Sequence, residues 1–569
     1  MQTLGSKTRP MLYLCLQLVL CLLFQERHAA HHGGTTMRSQ HMALLQWKAT
    51  LASPPQQMSS WQGNTSPCNW TGIMCTAVRH GRRRPWVVTN ISLPNAGIRG
   101  QLGELNFSAL PFLAYIDLSN NSLHGALPGS ISSLTSLSVL VLHHNQLIGK
   151  IPYEIGGLES LSLLELSFNR LTGHIPASLC NLTMLTDLLI NQNMLSGLIP
   201  KEIGRLVNLQ ILQLSNSTLS GMIPKTLGNL TQLNTLYLFG NQLSGPIPQE
   251  LGRLVRLQVL GLNSNDFSGP IPIFIVNLTK MNQLFLYGNQ ITGSIPPELG
   301  NLAMLNQLIL DENQISGTIP PELGNLTMLN TFTLLTNQIT GPIPIELGSL
   351  LNLQMLDLSN NQISGSIPGS LENQITGSIP QEIGNLVNLK YLGLYQNQIS
   401  GSIPKTFGKL QSIQEVQIYD NKLSGSLPLE FGNLINLVEL GLSNNSLSGP
   451  LPANICSGGR LRYLTVFSNM FNGPIPKSLN KCSSLVRIEL GSNQLTGDIS
   501  QHFGVYPQLI KMSLASNRLY GEISPNLGEC TQLTVLSLGN NMISGSIPPI
   551  LSKLSNLVVL RLESNHLSG

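Results

Sequence analysis

The chain is short of charge and of aromatic rings. Asp, Glu, Lys and Arg make up 10% of its 569 residues, and Phe, Trp and Tyr only 5%. Lys and Arg number 31 against 27 Asp and Glu, so no large basic field exists to collect phosphates, which argues against a nucleic-acid binder. The apolar run at residues 11–24 (MLYLCLQLVLCLLF), behind Lys7 and Arg9, is too short to span a bilayer comfortably and has the shape of a signal-peptide core. The reading is a signal peptide over 1–30, cut near Ala29 and Ala30, and entry into the secretory pathway. No later stretch is long and apolar enough for a membrane helix. Catalytic signatures are missing too: there is no G-x-S-x-G, H-E-x-x-H, Walker loop or dinucleotide fingerprint. The expectation is therefore no enzyme, no cofactor and no metal.

What is present is a repeat. From Asn121 to Asn361 the pattern L-x-x-L-x-L-x-x-N-x-L-x-G-x-I-P returns every 24 residues, with Asn145, Asn169, Asn193, Asn241, Asn265, Asn289, Asn313 and Asn337 in phase and Ser217 as the single substitute. A second run holds the same spacing from Asn397 to Asn565, giving about twenty coils. Each position answers a geometric demand. In the coil Leu233 to Pro248, Leu233, Leu236, Leu238, Leu243 and Ile247 are expected to point inward, because a single coil cannot bury an apolar stripe until its neighbours stack on it. Asn241 can hydrogen-bond unpaired backbone where the strand turns. Gly245 allows a tight bend and Pro248 stops the strand from continuing. The strands of successive coils then align in parallel, about 4.8 Å apart.

Ahead of the coils stand Ala43-Leu44-Leu45-Gln46-Trp47-Lys48, Ser60-Trp61 and Cys68-Asn69-Trp70-Thr71-Gly72-Ile73-Met74-Cys75. With these residues and the L-x-G-x-I-P hallmark, the chain over about 42–569 resembles plant leucine-rich-repeat receptor-like proteins. It is similar in flavour to the receptor-like kinases that interact with the male-discoverer receptor. The resemblance implies an α/β repeat, a right-handed leucine-rich-repeat solenoid with a concave parallel β-sheet. It implies an N-terminal cap over 31–85 and repeats over 86–569. It further implies a receptor ectodomain at the extracellular face of the plasma membrane, or secreted to the cell-wall space. Such a domain binds a peptide or protein ligand on its concave face, for signalling in development or defence through a co-receptor kinase of the somatic-embryogenesis receptor-like type. The family expects more repeats, an exit cap, a membrane helix and a kinase beyond Gly569, so the chain is read as an ectodomain portion. The alternatives are a soluble inhibitor of a pathogen wall-degrading enzyme, similar to the polygalacturonase-inhibiting proteins, and a non-functional receptor remnant.

Within the cap, residues 42–51 carry apolar positions at Leu44, Leu45, Trp47 and Leu51 and read as a short amphipathic helix covering the first coil. Cys68 and Cys75 are close enough to form a staple. Cys456 and Cys482 sit on the convex side of adjacent coils, where one coil step matches the roughly 4.4–6.8 Å Cα separation of a disulfide. Cys180 and Cys530 read as buried free thiols. Between Asn361 and Asn373 the spacing drops to 12. The segment 362–380 is expected to be a shortened coil, taken up by a loop with locally fewer ladder hydrogen bonds.

The candidate recognition surface is the concave sheet, where residues between the buried leucines project. Its columns hold Tyr237 and Phe239, then Phe285 and Tyr287, then Asp311 beside Glu312, then Tyr391, Tyr395, Tyr419, Tyr463 and Phe467. Aromatic rings supply contact area at small entropic cost, which suits an extended peptide. Sequons stand at Asn64, Asn69, Asn90, Asn106, Asn181, Asn229, Asn277 and Asn325. Asn181 to Asn325 recur at every second coil, so sugar would cover one flank. Further sequons at Asn120, Asn216 and Asn444 are expected inside strands. Arg460-x-Arg462 precedes the exposed columns and takes no ligand role. Arg82-Arg83-Arg84 reads as a solvated loop, and His143-His144 as an exposed pair pointing apart.

Overall fold

The computed structural model describes residues 36–78, 84–364 and 378–568. The signal-peptide segment 1–30, Arg82 and Arg83 therefore lie outside the described residues. The chain divides into two compact units, one ending at Ser268 and one beginning at Gly269.

The first unit opens with helix α1 (Met37–Thr50), five residues earlier than the hydrophobic spacing places it. The Thr36 hydroxyl accepts from Ser39 N and caps the helix start. The helix buries Gln40, Ala43, Leu44 and Trp47. Trp47 Nε1 donates to Gln101 O at 3.1 Å, and Gln40 Oε1 accepts from Val88 N at 2.8 Å while its Nε2 is buried without a partner. The Lys48 ammonium caps two carbonyls, Met58 O at 2.7 Å and Trp61 O at 2.8 Å, while the Trp61 and Trp70 rings stack at 5.3 Å. An antiparallel strand, Ile73–Ala77, joins this cap to Trp86–Ser92. From there the pairing is parallel, one three-residue strand per coil, through Tyr115–Asp117 to Val259–Gly261.

The coil around Thr235–Tyr237 shows why this sequence stacks. Leu233, Leu236, Leu238, Leu243 and Ile247 are all buried, whereas Thr235, Tyr237 and Phe239 on the alternate positions stay half-exposed. Gly245 has φ +77°, a left-handed conformation that a side chain would strain. Pro248 then precedes a five-residue 3₁₀ helix, Gln249–Arg253. Most coils pass the side opposite the sheet in such 3₁₀ helices, which are short enough to fit a 24-residue coil.

A column of asparagines ties the coils together. Asn241 Oδ1 accepts from Leu219 N of the preceding coil at 3.1 Å. Its Nδ2 donates to Leu214 O of the same preceding coil and to Leu238 O of its own, both at 3.0 Å. One side chain thus satisfies three buried backbone groups that the turn leaves unpaired. Where Ser217 replaces asparagine the reach is lost, and its hydroxyl is buried without a partner.

The second unit repeats this plan from the strand Gln283–Phe285 to Val559–Arg561. Its spine runs through Asn313, Asn337, Asn361, Asn397 and onward, with Asn397 Oδ1 accepting from Ile363 N at 3.0 Å and Nδ2 donating to Leu358 O at 3.0 Å. These two bonds cross the irregular segment, and they correct the expectation of fewer ladder bonds. Met355–Asp357 pairs directly with Tyr391–Gly393, Met355 opposite Tyr391. Leu358 N donates to Gly393 O and Asn360 N to Tyr395 O, both at 2.8 Å. The strand ladder is unbroken, because the aberrant stretch belongs to one long coil of 36 residues from Met355 to Tyr391. Asn373 and the rest of 365–377 lie outside the described residues.

Candidate ligand-binding face

Both units present the same kind of surface: three columns of side chains per strand face, at the first and third strand residues and two residues beyond. In the first unit, Tyr237 and Phe239 meet edge to face, ring centroids 5.5 Å apart. The Tyr237 ring lies over the bare backbone of Gly261 on the next strand, where a Cβ would come within 2.6 Å of it. That burial pushes the Tyr237 phenol upward from its usual range. Two to five coils earlier the same face is acidic. Asp117 accepts from Ser119 N at 3.0 Å and from its hydroxyl at 2.7 Å, and Asp187 accepts from Thr186 at 2.6 Å. Glu165, between them, is pushed up to about 7 by burial first and by Asp117 and Asp187 next. His143 Nε2 stands 3.9 Å from Glu165 Oε1, and burial lowers the imidazole's own pKa, with His144 lowering it further.

The two histidines do not diverge as their adjacency suggests. His143 Nδ1 and His144 Nδ1 are 2.9 Å apart, because His144 adopts φ +53° and the left-handed turn swings its side chain back. Its ring stacks on Phe168 at 4.1 Å. The same turn corrects the placement of Asn120, Asn216 and Asn444. At φ +53°, +53° and +54° they occupy the bend after the strand and not the strand itself.

In the second unit, Phe285 and Tyr287 flank buried Leu284 and Leu286 on the strand face. Asp311 accepts from Leu335 N at 2.8 Å, and burial lifts its pKa to about 6 against the lowering effect of its hydrogen bonds. Farther along, Tyr391, Tyr395 and Tyr419 gather around Asp357, a residue that sequence reasoning passed over. Tyr391 OH donates to Asp357 Oδ2 at 3.2 Å, and Tyr395 and Tyr419 stack at 4.6 Å and 7°. Burial, then the Asp357 charge, raises Tyr395 to about 12. Tyr391 rises for the same leading reasons. Phe467 and Tyr463 are half-buried two coils beyond Tyr419. Arg462 lies 5.7 Å over the Tyr463 ring, and Arg460 donates to Asn436 Oδ1 at 3.0 Å.

The cysteines follow their spacing. Cys68 and Cys75 are bridged with Cα atoms 5.3 Å apart, and Cys456 and Cys482 with 6.0 Å. Cys180 and Cys530 are buried free thiols. Burial, with Glu202 adding to it, pushes Cys180 up to about 12, so it stays protonated and inert. Asn181, Asn229, Asn277 and Asn325 each close a 3₁₀ helix and are exposed, as are Asn64, Asn69 and Asn106. Asn90 is half-buried within the strand Trp86–Ser92. Among the described residues, no three His, Cys, Asp or Glu gather to hold a metal ion, and no helix is long and apolar enough to cross a membrane.

Stacked parallel strands, an asparagine spine and a tryptophan-rich cap define a leucine-rich-repeat domain. Residues 38–76 match the leucine rich repeat N-terminal domain family and 105–244 the leucine-rich repeat region family. Six segments between 280 and 554 match the Leucine Rich Repeat family. The complex of PEPR1 with AtPEP1 superimposes with TM-score 0.82 at 33% identity, covering 93% of this chain and 76% of that one. The Arabidopsis receptor kinase HAESA, in complex with the peptide hormone IDA and the co-receptor SERK1, gives TM-score 0.71 at 33% identity, covering 93% and 94%. A curated relative, the LRR receptor-like serine/threonine-protein kinase RGI3 of Arabidopsis thaliana, is 35% identical over 103 residues, 18% of this chain and 9% of that protein. The chain belongs to the ectodomain family of the plant leucine-rich-repeat receptor-like kinases. Its match spans about a tenth of the length of that curated relative.

Proposed function

We propose that the chain recognises an extended peptide along its strand face, and that the complex recruits a shorter co-receptor kinase of the somatic-embryogenesis receptor-like type. The observation that carries this reading is the set of half-exposed rings, Tyr237, Phe239, Phe285, Tyr287, Tyr391, Tyr395, Tyr419 and Phe467, on strand-face positions of a chain only 5% aromatic. Rigid rings beside hydrogen-bonding Asn, Gln, Ser and Thr give contact area without large entropic loss. The solved complexes of HAESA with the peptide hormone IDA and of the plant peptide hormone receptor RGFR1 with RGF2 support the same use of this scaffold. Sugar at Asn181, Asn229, Asn277 and Asn325 would cover the helix side and leave the strand face to the ligand. Secretory localisation at the cell surface follows from the same reading.

The test is to express the chain for secretion and screen immobilised synthetic peptides against it by interferometry, in parallel with a panel of wall-degrading enzymes. Peptide binding that weakens when Tyr391 and Tyr395 are replaced by alanine supports the proposal. Enzyme inhibition with no peptide binding would replace it with the inhibitor reading.

A further inference from the structure

We propose that the strand face of the second unit holds a docking site for one cationic group of the ligand, best a guanidinium, bounded by Asp311, Asp357, Tyr391 and Tyr395. This rests on the peptide-binding reading and names the chemistry of one ligand side chain.

Asp357 is only 5% exposed, yet among the described residues no Lys, Arg or His forms an ion pair with it or with Asp311. Elsewhere on the same face a carboxylate is matched. Glu489 has Lys511 at 3.1 Å and Arg487 at 3.6 Å. Lys390, adjacent to Tyr391, is occupied by Gln354 Oε1 at 2.8 Å. The charged groups that bear on the cluster, Glu312, Glu415, Asp420 and Glu439, are all acidic. A buried carboxylate without a cation is costly, and an incoming cation relieves that cost.

The site is also shaped. Asp357 leans across the strand at Gly393, where a Cβ would collide with its Oδ1. Only glycine leaves room for this carboxylate between Tyr391 and Tyr395. Ser359 N donates to Asp357 Oδ1 at 3.1 Å and Tyr391 OH to Oδ2 at 3.2 Å, which fixes the carboxylate in place. Beside it the Ser359 hydroxyl, fully buried and 2.9 Å from the missing Cβ, interacts with the Tyr395 phenol and fixes that ring next to the carboxylate. The stacked Tyr395 and Tyr419 rings wall the other side. A planar guanidinium can lie against a tyrosine face and still donate to a carboxylate, which a compact ammonium does less well. The unpaired acids, the glycine gap that seats Asp357 and the aromatic wall together specify a cation-binding subsite.

The first arm of the test needs no peptide. Argininamide and citrullinamide, equal in shape and different in charge, are titrated at matched ionic strength while the melting temperature is followed. The expected result is stabilisation by argininamide alone, lost in Asp357→Asn, which keeps the shape of the side chain, and in Asp311→Asn, which alters only a half-exposed carboxyl. Glu489→Gln should leave the shift intact. Equal effects of the two amides, or a shift that survives both Asp→Asn changes, overturn the proposal. The second arm measures an arginine-containing peptide and its citrulline twin from the screen above, with an expected affinity gap of at least tenfold that closes in Asp357→Asn. Peptides that bind without a gap sink the cation site and leave peptide recognition standing. An argininamide shift with no peptide binding does the reverse.

Discussion

In the first unit the ring pair Tyr237 and Phe239 stands at least two coils from Asp117, Glu165 and Asp187, and in the second the tyrosines and an acid touch. Glu165 lies three coils before Tyr237, beside His143, and near pH 7 it disposes of its charge by taking up a proton. Asp357 instead sits on the strand next to Tyr391 and is clasped by its hydroxyl. That contact exists because the coil between the two strands holds 36 residues and still returns to register. Regular coils fix which columns a residue can occupy. Which columns meet is left to the sequence, and here the 36-residue coil decides it.

The scaffold is where the two units should not differ. Asn241→Ala and Asn313→Ala each strip partners from three buried backbone groups and should cost about 3 kcal/mol in denaturant unfolding. A large disparity between them would mean that the units are not held by the same spine. The faces should differ next. Tyr395→Ala is expected to weaken ligand binding more than tenfold, about 1.5–2 kcal/mol, and Tyr237→Ala less than threefold. Equal losses would erase the distinction drawn here. Acidity sharpens it further. Glu165 at about 7 and Asp311 at about 6 both lie above the ordinary carboxyl range, so the folded chain holds more protons than the unfolded one between about pH 4 and 7. Stability should therefore rise as pH falls from 7.5 to 5. Glu165→Gln flattens that rise over its upper part and Asp311→Asn over its lower part. Cation affinity should move the opposite way, declining as Asp311 is protonated near pH 6. The smallest effect belongs to the spine's one gap. Ser217→Asn restores the missing bonds and should add about 1 kcal/mol.

The fold was legible because its period is long, repeated and tied to burial: the inward set of the Leu233 coil, the cap tryptophans and the Cys456–Cys482 bridge all follow from spacing. So do the strand-face positions of the named aromatics, since alternation about a buried leucine leaves no other place for them. Local rules failed where the chain turns. Adjacent His143 and His144 converge because one of them is left-handed, a state that strand alternation does not anticipate. Asp357 was missed for a different reason. Its partner Tyr391 stands 34 positions away, and the 24-residue rule assigns it another neighbour. A count of 36 from strand to strand, made across the irregular segment, would have found the pair.

The spine asparagines reach backward, Asn241 to a carbonyl and an amide 27 and 22 positions earlier and Asn397 to ones 39 and 34 earlier. A spine asparagine leaving the ribosome therefore finds its partners in chain already synthesised, whereas amides of its own coil, such as Leu238 N and Leu243 N, wait for Gly261 and Asn265 of the next. The helix and tryptophans of the cap, first to emerge, supply the floor on which that vectorial assembly starts.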